Sequence, residues 1–246
     1  MSPKIKWLAW GAFIIVLVYT RFINLSWGLP FPFNPDERNI ANAIQNLNCE
    51  WSVVSYQLSE CFNPNFFAYG QFPIYLSYIL IFLSRLVTRI AGEVRFEEAV
   101  MALRFISAIA SLATVYFSHK ILKQFIPNTL PTGRQARYLL LYTLPLVFSP
   151  ALIQFAHFGT TESLLMLFFT WLIYLCLRLN ENRTSKDVDS IYIWLGVVAG
   201  LAIATKVSAL LFAVFPLLVI MSLARRYVYE SRYETFWQCF NELIFV

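Results

Sequence analysis

The chain has 246 residues, 59% of them apolar and 13% charged, with a mean hydropathy of +0.60. Soluble domains carry about 25% charge; a chain this apolar cannot clothe itself in polar groups, which excludes a water-soluble globule and leaves lipid against much of its surface. The formal charge of +5 does not signal nucleic acid, because the Lys and Arg residues stand in short clusters between apolar runs, as cytoplasmic loops do.

Lys4 and Lys6 precede an uncharged run over 7–20, and Arg21 follows where a small-x-small cleavage site would stand. The run reads as an uncleaved signal anchor with its N-terminus in the cytoplasm. Further uncharged stretches cover 72–84, 105–118, 138–156, 163–177, 191–205 and 207–224. A full span needs about 20 apolar residues. The stretch 72–84 has 13, begins near Pro73 and runs into Arg85 and Arg89, which suits a segment lying in the interface. Charge asymmetry agrees. If 72–84 crossed the bilayer, Lys120, Lys123, Arg134 and Arg137 would face outward, as would Arg178, Arg183, Lys186, Arg225 and Arg226. If it lies along the outer surface, all of them join Lys4 and Lys6 inside.

The expected fold is therefore all-α: a polytopic transmembrane helical protein forming a single membrane domain over 1–246. About six spans are predicted, at 5–23, 99–120, 138–155, 162–179, 191–205 and 207–224. A long outer loop, 24–98, holds juxtamembrane helices. Residues 225–246 read as a cytoplasmic tail or a truncated continuation. In the outer loop, a proline-rich stretch (Leu29 to Pro35) leads into a helix predicted over 35–47, with Asn34 as its cap and Pro35 in its first position. Thr205-Lys206 marks a tight outer turn. No internal repeat of the kind found in inverted-repeat transporters is visible.

This topology gathers the chemistry on the outer face. Asp36 and Glu37 open the helix after the first span; His157 and Glu162 flank the junction of the third and fourth; Arg104 lies just inside the second, and Lys206 follows the fifth. Carboxylates at an interface are costly to desolvate and pair with cations, metals or substrates. Asp36 and Glu37 suit a general base or a metal ligand, or simply the positive end of a helix. The same two readings apply to Glu162. His157 reads as a ligand or as a hydrogen-bonded interfacial histidine, and Arg104 and Lys206 as phosphate contacts or snorkelling anchors. Cys49 and Cys61 share the outer loop, where either a disulfide or two free thiols would fit.

The order of these pieces resembles the GT-C superfamily of membrane glycosyltransferases, and within it family 39, the protein O-mannosyltransferase-like group. The resemblance rests on Asn34-Pro35-Asp36-Glu37, on Asn63-Pro64-Asn65-Phe66-Phe67-Ala68-Tyr69 through Pro73-Ile74-Tyr75-Leu76, and on Arg104-Phe105-Ile106-Ser107-Ala108. It continues through Ser149-Pro150, His157-Phe158, Thr160-Thr161-Glu162 and Gly200-Leu201-Ala202-Ile203-Ala204-Thr205-Lys206. Glu162 stands where the family usually has Asp, and the chain ends sooner than its relatives do. The resemblance implies transfer of a sugar from a polyprenyl-phosphate carrier to the hydroxyl of a protein, lipid or glycan at the outer face of a plasma or inner membrane. In that scheme Asp36 is the base and Glu37 orients substrate. Arg104, His157 and Lys206 meet the phosphate. Asp36 and Glu162 would hold a divalent cation (Mg or Mn), with no other cofactor. The rival readings are a transporter or flippase component and a non-catalytic membrane protein; both fit less well with charges that cluster at span ends.

Overall fold

The computed structural model describes residues 3–47, 62–127, 129–180 and 185–225. Cys49 and Cys61, the candidate disulfide pair, lie outside these residues, as does the chain beyond 225. All described regular structure is helical: α1 (Pro3–Phe22), α2 (Pro35–Gln45), α3 (Phe72–Thr88), α4 (Phe96–Phe125), α5 (Thr132–Val147), α6 (Pro150–Ala156), α7 (Glu162–Leu179), α8 (Ser185–Thr205) and a 3-10 segment, η1 (Val207–Ala213), that runs on as α-helix to Arg225. Five helices are long and apolar enough to cross a bilayer, and α5 with α6 forms a sixth if the bent pair counts as one span. The chain is thus a polytopic integral membrane protein.

α4 is the central element, in its most extensive contact with α7. Its buried face alternates small and larger residues, Ala99, Ala102, Leu103, Ser107, Ala108, Ser111 and Val115; small side chains let neighbouring backbones approach where hydrophobic exclusion from water gives no drive. At 30 residues it is about 45 Å long, more than the ~30 Å of a hydrocarbon core. Its acidic start (Glu97, Glu98) and its basic end (Lys120, Lys123) therefore reach beyond the apolar region.

The third predicted span is broken. α5 and α6 meet at 57°. Pro145 removes an amide from the end of α5, and Pro150 forces Ser149 into an extended conformation (ψ 116°). Carbonyls left without helical partners at the break are met by Arg21 in the last turn of α1. Its guanidinium donates to Leu146 O at 2.9 Å, Val147 O at 2.8 Å and Ser111 Oγ at 3.1 Å. α8 begins six residues before its uncharged stretch, at Ser185 rather than 191, since Asp187 suits a helix start.

α3 does not run the length of the bundle. Its entry point is tied to the end of α8 by Gly70 N donating to Thr205 O at 3.1 Å. At its far end Arg85 pairs with Glu98 in the first turn of α4. Both ends therefore sit at the extremity of the bundle that carries the start of α4 and the end of α8. One face of α3 (Ile74, Ile81) joins Ile40, Ile44 and Leu47 of the α2 region and Val100 and Leu103 of α4 in a single cluster. The other exposes Ile79, Phe82, Leu83, Leu86 and Val87.

Candidate active site

α2 starts as its sequence dictates. Asn34 Oδ1 accepts from the amides of Asp36 at 2.9 Å and Glu37 at 3.4 Å, and Pro35 occupies the first position. The two acids then part. Consecutive helical residues point about 100° apart, at 3.6 residues per turn. Glu37 falls on the stripe with Ile40, Ala41 and Ile44 and is wholly buried, whereas Asp36 is half-exposed.

Glu37 takes Arg104 as a two-point partner: Nε donates to Oε1 at 2.7 Å and Nη2 to Oε2 at 2.8 Å, with neither side chain exposed. The remaining donors of Arg104 go to Leu25 O at 2.6 Å and Trp27 O at 2.7 Å, and the Trp27 ring lies 5.3 Å from the guanidinium carbon. Gly159 N donates to Glu37 Oε1 at 2.6 Å. A side chain at Gly159 would run into Leu103, so only glycine brings this turn against α2 and α4. Arg104, expected from sequence to meet a phosphate, thus spends its donors on the protein. Together with Glu37 it ties the loop after α1, the start of α2, α4 and the turn before α7 to one another.

Asp36 faces a different set of groups. The Tyr69 phenol stands close enough to feel the charge of its carboxylate. Burial, then the neighbouring charges of Asp36 and Glu162, push the Tyr69 phenol above its ordinary range. Lys206 Nζ lies 5.0 Å from the centre of the Tyr69 ring and 3.6 Å from Glu162 Oε1. Lys206 and Glu162 keep about a third of their side-chain surface exposed. Asp36, Tyr69, Lys206 and Glu162 therefore form one accessible arc at the end of the bundle, drawn from four distant segments. Gly70 is what lets Tyr69 in, because a β-carbon there would overlap the Ala204 carbonyl.

His157 stands apart from this arc. Its Nδ1 lies 2.8 Å from Ile153 O and its Nε2 2.9 Å from Ile23 O, which ties α6 to the end of α1. Among the described residues no three His, Cys, Asp or Glu side chains are grouped to hold a metal ion. A cation on Asp36 and Glu162 would draw its further ligands from substrate and water, as magnesium commonly does. Tyr69, Trp27, Gly70 and Gly159 were not singled out from sequence as site residues. Tyr69 lies in a non-periodic loop, and only its place in the Asn63–Leu76 motif marks it.

A family model described as dolichyl-phosphate-mannose-protein mannosyltransferase matches residues 74–245. The matched region contains Arg104, His157, Glu162 and Lys206 and begins after Asp36, Glu37 and Tyr69. No curated protein and no solved structure matches the chain.

Proposed function

The chain belongs to the dolichyl-phosphate-mannose-protein mannosyltransferase family and is a membrane glycosyltransferase; from that premise we propose that it moves a sugar, mannose by the family's description, from a polyprenyl-phosphate carrier to an acceptor hydroxyl, a protein side chain by the same description, at the membrane face carrying Asp36. The acceptor oxygen attacks the anomeric carbon and gives its proton to Asp36 as the bond to the phosphate oxygen breaks, the electron pair leaving with the phosphate. Lys206, the accessible cation of the arc, meets the phosphate charge. A divalent ion held by Asp36 and Glu162 would help neutralise the same leaving group. Glu37 and Arg104 are positioning residues. The orientation we assign puts this end outside a plasma or inner membrane and the N-terminus in the cytoplasm, since the basic clusters stand at the opposite end.

The single observation that carries the reading is the split of the acidic pair: Glu37 sealed against Arg104, and Asp36 left partly exposed near Tyr69. Membranes holding Asp36→Asn, supplied with polyprenyl-phosphate-linked mannose and a Ser/Thr peptide, should lose transfer by about 10²–10⁴-fold with insertion unchanged. Undiminished transfer would remove Asp36 as the base.

A further inference from the structure

At the end of the bundle opposite Asp36, a cavity of about 250 Å³ opens between the start of α1, the end of α4 and the start of α5. Lys6, His119, Lys123 and Gln135 line it together with Trp10, Ile126, Ala136 and Leu139. No carboxylate is among the lining residues, and neither lysine has an ion-pair partner among the described residues. Two lysines that line one small cavity bring like charges to it, a repulsion that an anion bound there would relieve. His119 is fixed by its ring, edge-on to Trp10 with centroids 5.1 Å apart. Its Nδ1 is buried with no hydrogen-bond partner. A buried N–H without an acceptor is the costlier orphan, so the proton belongs on Nε2, the nitrogen left to donate to an occupant.

We propose that this pocket binds the phosphate of an anionic lipid headgroup, with Lys6 and Lys123 on the phosphate oxygens, His119 donating from Nε2, and Trp10, Ile126 and Leu139 against the glycerol and upper acyl chain. The lining favours a lipid over a free anion: two lysines beside Trp10, Ile126 and Leu139 match a molecule with a charged head and a greasy shoulder. Nothing in sugar transfer at the far end requires this site, and it stands or falls independently of that reaction.

The full chain, purified in detergent, can be tested by native mass spectrometry with phosphatidylglycerol, phosphatidylcholine or inorganic phosphate added. One retained phosphatidylglycerol is expected, at several-fold higher occupancy than phosphatidylcholine. Lys6→Gln/Lys123→Gln should abolish that preference. His119→Phe, which keeps the ring against Trp10 and removes only the nitrogens, should weaken it. Arg38→Gln/Arg89→Gln, a pair of exposed cations elsewhere in the fold, should leave it intact. Equal retention of the two lipids, or wild-type retention by the double lysine variant, would overturn the site. Displacement of the lipid by inorganic phosphate at the same concentration would overturn its assignment to a headgroup.

Discussion

Glu37 and Arg104 share one buried two-point contact, and every other polar atom around them is a fixed backbone group. Removing one partner leaves a desolvated charge, which costs about 3–5 kcal/mol. Arg104→Met should therefore lower the melting temperature in detergent sharply. Glu37→Gln/Arg104→Met should be less damaging than the two single losses combined, and thermal unfolding of all three variants checks this. The division of labour between neighbouring acids was partly legible in the sequence. Positions 37, 40, 41 and 44 already have helical spacing, so Glu37 lies on the apolar stripe and Asp36 off it. What the stripe could not reveal was that Arg104 would occupy the buried position opposite. An arginine in the second turn of a span serves equally as a snorkelling anchor, a phosphate ligand or an internal partner, and only packing distinguishes them. Tyr69 was harder still, since no periodicity operates in the loop that presents it.

Helix existence was written in the apolar runs, and helix geometry much less so. The run 138–156 is continuous as composition, yet Pro145 and Pro150 fold it into two rods at 57°, and the freed carbonyls take Arg21 from another helix. A residue that marks the end of the first span in sequence thus proves to be a buried support of the third. α3 obeys its sequence more closely, being short, proline-initiated and held at one extremity of the bundle. Its anchor is testable. Gly70→Ala places a methyl group on the Ala204 carbonyl, and overpacking of this kind costs about 1–3 kcal/mol. Because the displaced segment carries Tyr69, sugar transfer should fall further than folded yield does. Gly196→Ala, where a β-carbon meets nothing within 4 Å, should leave both unchanged. Parallel measurement of transfer and of the monodisperse fraction separates the two variants.

Across the whole molecule the two ends differ in kind. One gathers Asp36, Tyr69, Glu162 and Lys206; the other gathers Lys6, His119, Lys120, Lys123, Arg134 and Arg137. Charge segregation of this sort is what orients a membrane protein, and it yields a direct expectation. With Cys49, Cys61 and Cys239 replaced by serine, an impermeant maleimide should label Phe33→Cys in intact cells. It should reach Phe125→Cys only after the membrane is opened; both parent residues are strongly exposed, at 76% and 68%. Labelling of both from the same side would overturn the orientation.

The tie between Gly70 and Thr205 has a consequence for biosynthesis. A ribosome delivers the loop bearing Asp36 and Tyr69 long before it delivers Thr205, which pins that loop, so every shorter nascent chain carries Asp36 and Tyr69 without Lys206. Until α8 has been threaded through the translocon, the segment that presents Tyr69 lacks the backbone partner that holds it in the finished fold.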